Sequence, residues 1–345
     1  MALLNKEIVD KLLNYESAFK DIVDQELVKK ELSSTIISNR NVIISGPPGI
    51  GKTSLALSVA DILGELEVND CGFNCLPDNP ICPVCLQAKK EGKKMPTKIV
   101  KGKDRFVRVQ GSPDLTSEDL LGDIDPIVAL KKGPLSIEAF TPGKIFKANN
   151  GVLFFDEINR APERLQNALL QVLQEKKVTI GSYDIDFPAD FILIATMNPK
   201  DSSTEKLSEV FLDRFDIISM DYPSDVNTEK EIVLLKGKKF DVKVDDYILD
   251  FIVSFVQNLR KNENVVFGPS VRASIGLYER SQVNALLNKR NKVLVDDVRD
   301  VVLSVIPHRV KVKPSVTFDS SKFDFILKEF ESFSKEFSEK SDLVR

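Results

Sequence analysis

Hydrophobic positions along this chain follow two rhythms. Through the first forty residues apolar side chains recur at helical spacing, with a loop-like break at FKDIVDQE, 19–26. NVIIS, 41–45, is a short β-branched run and predicts a strand. A glycine–proline loop follows at 46–51, and TSLALSVADIL, 53–63, returns to the helical rhythm. Further strand-like runs are RFVRVQ (105–110), VLFF (152–155), FILIATMN (191–198) and FDIISM (215–220). PERLQNALLQVLQEK, 162–176, predicts an amphipathic helix, and KVTIGSYDIDF, 177–187, alternates around Gly181 and Ser182 as a hairpin does. Residues 114–148 mix short helices with loops. Beyond Pro223 the pattern becomes almost wholly helical.

Strands alternating with helices predict an α/β fold with a parallel sheet covered on both faces. A chain of 345 residues exceeds one ordinary core. The change of rhythm sets the expected boundary, with an α/β domain over 1–222 and a helical domain over 223–345. Within the first, residues 66–103 read as an irregular insert rich in Cys, Pro, Asn and Lys. The tail, 318–345, spaces Phe among charges at helical intervals and is expected to dock its Phe side on the helical domain.

Composition narrows the function classes. Hydrophobic residues make up 42% and charged residues 29%, which suits a soluble globular protein. A net charge of −4 argues against a constitutive DNA binder but leaves a local basic patch open. No apolar run reaches transmembrane length, and the first residues include acids, unlike a signal peptide. A cytoplasmic location without membrane contact is therefore expected.

GPPGIGKT, 46–53, satisfies the phosphate-loop pattern G-x-x-x-x-G-K-T between a strand and a helix. Gly46, Pro47, Pro48, Gly49, Ile50 and Gly51 would turn backbone N–H groups toward phosphate oxygens, with Lys52, Thr53 and Ser54 opening the helix. Lys52 would reach the β- and γ-phosphates, and the Thr53 hydroxyl would ligate Mg²⁺. A second signal is NGVLFFDEINRAP, 150–162, where a buried run ends in adjacent carboxylates, Asp156 and Glu157. In a phosphate-loop fold such a strand ends at the same sheet edge as the first. Asp156 would then hold Mg²⁺, Glu157 would activate the attacking water, and the metal with Lys52 would offset the repulsion.

In this order and spacing, GPPGIGKT, VLFFDEINRAP, ATMNP and LDRFD resemble the AAA+ ATPases. More narrowly, the chain is similar to the MoxR-like group and to the ATPase subunit I of magnesium chelatase. PDLTSEDLLGDIDPIVALKKG (113–133) and EAFTPGKIFKANNGVLFFDEIN (138–159) resemble that group's helix-2 insertion and Walker B region. KKVTIGSYDIDFPADFILIATMNP, 176–199, resembles its pre-sensor-1 hairpin leading into sensor 1. The likeness spans residues 19–310 and implies an AAA+ core with a C-terminal helical lid.

The resemblance also implies roles. Asn198 in ATMNP matches the sensor-1 residue near the γ-phosphate. Arg214 in LDRFD matches the arginine finger, and Arg272 in GPSVRAS matches sensor 2. FKDIVDQE resembles the adenine-side loop, where Ile22 and Val23 would pack on the base and Asp24 replaces a common glycine. Arg160 is either an inter-subunit residue or an ordinary helix-start residue. An arginine supplied in trans implies a homo-oligomeric ring, hexameric in the family. Such ATPases act with a partner carrying a von Willebrand A domain. Its D-x-S-x-S motif is absent here, so that partner would be a separate chain, and the client a metal-insertion complex or another assembly needing maturation. A nucleic-acid motor and a non-hydrolysing nucleotide switch are the competing readings. The acidic tip GSYD and the lack of an appended DNA-binding domain speak against the first, and Glu157 against the second.

All four cysteines fall in CGFNCLPDNPICPVC: Cys71, Cys75, Cys82 and Cys85. Thiolates this close suit one tetrahedral, structural Zn²⁺, with two disulfides or four free thiols as the competing states. Seven lysines follow between 89 and 103. They read first as a solvated face, and second as a surface for nucleic acid or an acidic protein; no aromatic residue interleaves them to stack on bases.

Overall fold

A computed structural model describes residues 6–133, 139–179, 186–199, 201, 207–319 and 321–342. By internal packing the chain falls into two compact units. One reaches Met220; the other begins at Asp221 and includes Pro47–Ile50.

The first unit is built on five parallel strands: β1 (Asn41–Ser45), β2 (Phe106–Gln110), β3 (Val152–Asp156), β4 (Ile192–Met197) and β5 (Phe215–Ser219). They lie in the order β5-β1-β4-β3-β2. Every pairing is parallel, so each return crossing runs over a sheet face, and the inner strands β1, β3 and β4 are apolar on both sides. All five residues of β3 are buried, as are the first five of β4. Helix Glu163–Glu175 adds Leu165, Leu169 and Val172 to the same core. Register places the chemistry at one edge: Ser45 pairs with Met197, and Gln110 with Asp156. The loop after β1 and the acidic end of β3 therefore flank β4 at a common rim, roughly 10 Å apart in the sheet direction.

The insert differs from its expected irregularity. Leu66–Asn69 and Thr97–Val100 form an antiparallel ribbon, and Pro83–Lys90 is a helix between them. Pro83 opens that helix at a position with no partner for an N–H, which is why a proline-rich stretch becomes helical there. A second small pair, Gly122–Ile124 with Phe140–Pro142, lies within the stretch resembling the helix-2 insertion. The expected hairpin is present as Lys177–Thr179 against Asp186–Pro188. Its tip, with the acidic GSYD, lies outside the described residues.

The second unit packs helices Val226–Lys236, Asp246–Lys261, Val271–Leu287 and Val295–Val305. One short pair interrupts the helical pattern, Val265–Phe267 with Lys311–Val312. The tail forms helix Lys322–Asp342 and docks through its Phe side as expected: Phe330 lies 5.4 Å from Phe251 and 5.2 Å from Phe255, edge to face. Among the described residues no helix is long and apolar enough to cross a membrane.

Glu229 is fully buried in this unit. Arg260 clamps it at 2.6 and 2.8 Å, Ser274 donates at 2.5 Å, and the Arg260 guanidinium stacks 4.5 Å over Tyr222. Glu229→Ala strands that guanidinium without its anion, at an expected cost of about 3–5 kcal/mol. Urea unfolding should show the second unit's transition at a clearly lower midpoint.

A candidate nucleotide site and a cysteine cluster

The loop after β1 leaves the sheet through glycines that other residues would strain. Gly49 has φ +73° and Gly51 φ +104°, both left-handed, and Gly51 hands the chain to helix Lys52–Ile62. Lys52 starts that helix, and its Nζ donates to the Gly46 carbonyl at 2.7 Å. Thr53, one residue on, turns its hydroxyl toward β3. Ser54 points to solvent.

Asp156 ends β3 nearly buried, with 6% exposure. Its carboxylate accepts from Thr53 at 3.1 Å, from Thr196 at the end of β4 at 2.7 Å, and from Arg108 of β2 at 2.6 Å. Glu157 then leaves the strand direction with φ 54° and ψ 53°. Its N–H donates to Thr196 Oγ1 at 2.9 Å, and its carboxylate meets Gln110 at 3.1 Å and Arg160 at 3.3 Å. The two adjacent carboxylates thus diverge, each with its own cation. The turn is held from β2: the Gly111 N–H donates to the Asp156 carbonyl at 2.7 Å. A Cβ at Gly111 would stand 2.1 Å from the Glu157 carbonyl oxygen, so only glycine fits.

Other expected site residues surround this edge or lie apart from it. Asn198 follows β4, and its carbonyl accepts from Asn159 at 3.2 Å. Arg160 also pairs with Asp201 at 3.0 Å. Arg214 lies just before β5, donating to the Val210 carbonyl at 2.9 Å and pairing with Asp213 at 3.4 Å. Ile22 and Val23 occupy the loop before helix Glu26–Ile37, with Ile22 buried. There Asp24 and Gln25 take φ +58° and +65°, a conformation glycine adopts at least cost. Arg272 belongs to the second unit, in the first turn of helix Val271–Leu287.

Residues 85–217 match the family described as "ATPase family associated with various cellular activities (AAA)". Residues 257–327 match its lid domain, and 18–73 match "Magnesium chelatase, subunit ChlI". The chain is 30% identical over 254 residues to the uncharacterized protein YeaC of Bacillus subtilis, covering 67% of this chain and 77% of that one. The chain belongs to the AAA+ ATPases of the MoxR/ChlI type. It is 28% identical over 339 residues to a magnesium-chelatase subunit ChlI homolog of Methanocaldococcus jannaschii, covering 88% of each. It is 25% identical over 333 residues to the chaperone MoxR1 of Mycobacterium tuberculosis, covering 84% of this chain and 72% of that one.

This AAA+ chain also gathers its cysteines. The four sulfurs lie within 4.8 Å of one another, with Cys75, Cys82 and Cys85 buried and Cys71 half-buried. No disulfide joins them. The thiols share hydrogen bonds instead. Donation from Cys75, then Cys82, favours the thiolate of Cys71 and lowers its pKa; the bond to Cys71 raises that of Cys75, and bonds to Cys71 and Cys75 raise that of Cys82. Burial raises Cys85.

Arg108, Gln110, Thr196 and Gly111 were not among the expected site residues. The strand period puts the first two on one face, and only register brings that face to the acidic end of β3. Residues 106, 108 and 110 share one face of β2, and register pairs Arg108 with Phe154 and Gln110 with Asp156. Arg108→Ala removes the cation at a nearly buried carboxylate from a half-exposed position, so the expected loss is about 1–2 kcal/mol. Thermal melting of the nucleotide-free protein should fall by a few degrees, with much of the loss recovered in saturating Mg²⁺ and ATP.

Proposed function

We propose that this protein is an ATP-hydrolysing motor that remodels or matures a partner complex. The observation that carries the reading is the Thr53 hydroxyl at 3.1 Å from Asp156, residues 103 positions apart in sequence. A hydroxyl beside a carboxylate at the mouth of a glycine loop is a donor set suited to Mg²⁺ with a nucleoside triphosphate. Bound Mg²⁺ would neutralise charge on the β- and γ-phosphate oxygens.

The chain's own groups divide the remaining work. N–H groups of residues 46–53 and the helix N-terminus hold the phosphates. Lys52 exchanges its Gly46 carbonyl for phosphate oxygens. Glu157, on a turn fixed from two strands, orients and deprotonates the water. Asn198 is the polar group that positions it, and Ile22 and Val23 pack on the base. Arg214 is half-buried and, among the described residues, bonds the Val210 carbonyl and Asp213 of its own turn. In the proposed mechanism a second copy brings it to the nucleotide, where a finger of this type contributes several powers of ten in rate. Arg272 acts as the lid's sensor.

A ring, hexameric by likeness to the family, follows from that need. The relatives include a protein named as a chaperone and a chelatase subunit homolog, which supports a protein client; a separate von Willebrand A partner and a cytoplasmic location belong to the same proposal. Metal insertion into the client is one form of that maturation. In the same reading the four cysteines hold one structural Zn²⁺, since four sulfurs leave no position open to a reacting water.

Two substitutions test the core of this. Glu157→Gln should keep ATP binding, read by a fluorescent analogue, and lower turnover by about 100-fold or more. Lys52→Ala should lose binding by at least about tenfold. Turnover in Glu157→Gln equal to wild type would favour a non-hydrolysing switch, and unaltered affinity in Lys52→Ala would move the phosphates elsewhere.

A further inference from the structure

The cysteine cluster has a chemistry and a mechanical neighbourhood, and both are specific. Four sulfurs around one Zn²⁺, at about 2.3 Å from the metal, lie roughly 3.8 Å from each other. Here they already fall within 4.8 Å, so a small contraction closes the tetrahedron. Donors are aimed at the sulfurs as thiolates require. Ile81 and Cys82 N–H groups donate to Cys75 Sγ at 3.4 and 3.3 Å, Cys85 N–H to Cys82 Sγ at 3.4 Å, and Asn69 Nδ2 to Cys85 Sγ at 3.4 Å. Such N–H···S bonds offset thiolate charge that burial would otherwise penalise.

The loop between the first two cysteines also carries a buried ring. Phe73 is buried against Phe146 at 5.2 Å, Phe187 at 5.7 Å and Phe140 at 6.2 Å. Each of these belongs to a different element. Phe140 lies on the small pair of the helix-2 insertion, Phe146 on the short helix Lys144–Lys147, and Phe187 on the returning strand of the hairpin. Polar bonds pin the same loop to the approach to β3. Asn149 donates to the Phe73 carbonyl at 3.0 Å, Asn150 to the Asn74 carbonyl at 2.9 Å, and Asn74 to the Lys147 carbonyl at 2.7 Å. Asn149 and Asn150 also bond the backbone of Asp190, beyond the hairpin.

We propose that one Zn²⁺ on Cys71, Cys75, Cys82 and Cys85 fixes the loop that seats Phe73, and thereby locks the helix-2 insertion and the hairpin to each other at one aromatic junction. This rests on the zinc reading given above and adds a consequence to it. The metal stabilises the two segments that would pass motion to a client, while the phosphate site, on other elements, keeps its own contacts. Between Cys71 and Cys82 the chain forms neither helix nor strand, so four coordinate bonds supply order that backbone pairing does not.

The test uses the full chain, reduced and purified without added metal. Elemental analysis should give about one zinc per chain, and Co²⁺ added to the zinc-stripped protein should give the absorption of a tetrahedral tetrathiolate. Hydrogen exchange, followed with and without a chelator, should speed by about tenfold or more across residues 139–150 and 186–190 when zinc leaves. Affinity for a fluorescent ATP analogue should stay within about threefold. Phe73→Ala should keep its zinc and show the same faster exchange, which separates the junction from the metal. If neither zinc nor cobalt binds, the zinc reading fails and this proposal with it. If zinc binds but its removal leaves exchange at 139–150 and 186–190 unchanged, the metal stands and the lock is overturned. Loss of nucleotide binding together with zinc would also overturn it, because the effect would then be unfolding of the whole unit.

Discussion

The Asp156 carboxylate accepts from Thr53, Thr196 and Arg108, which come from the helix after the glycine loop, from β4 and from β2. A carboxylate with so little exposure is tolerable only when its lone pairs are filled, and here each partner arrives from a different crossing of the sheet. The parallel order β5-β1-β4-β3-β2 is what makes that possible, since it brings four chain segments to one rim. The positions of Lys52, Glu157 and Asn198 are secondary to it: they are fixed by the same strand ends that satisfy Asp156.

Much of this was legible in the chain because the residues concerned obey short-range rules. GPPGIGKT needs its glycines for left-handed backbone, and the structure shows that conformation at Gly49 and Gly51. The apolar run 152–155 reads as a strand because every one of its residues is buried. The tail helix was visible from the spacing of its Phe residues, which meet Phe251 and Phe255. What stayed hidden depends on register. Nothing local in FVRVQ says that Arg108 will stand beside Asp156, because that follows from pairing with a strand more than forty residues away. Beside the expected Lys52 and metal, the chain places Arg108 and Arg160 against the acidic pair, which the sequence did not announce.

The insert shows the opposite failure. Its composition, rich in Pro, Asn and Cys, suggested an irregular excursion, yet it holds a ribbon and a helix. Propensity is a weak guide where side-chain-to-backbone bonds do the ordering. Within the insert Asn69 bonds a sulfur and Asn74 a backbone carbonyl, and Asn149 and Asn150, from outside it, bond the Phe73 and Asn74 carbonyls. The cysteines were legible as a group from spacing alone, whereas the aromatic neighbours of Phe73 come from residues 140, 146 and 187 and needed the fold.

Gly111 carries no functional side chain, yet its amide grips the Asp156 carbonyl while its α-carbon faces the Glu157 carbonyl with no room for one more atom. Backbone alone spaces the outer strand from the acidic turn. A single added methyl there would push on both carboxylates at once, so a substitution at this position would disturb the acidic pair although neither acidic side chain had been altered.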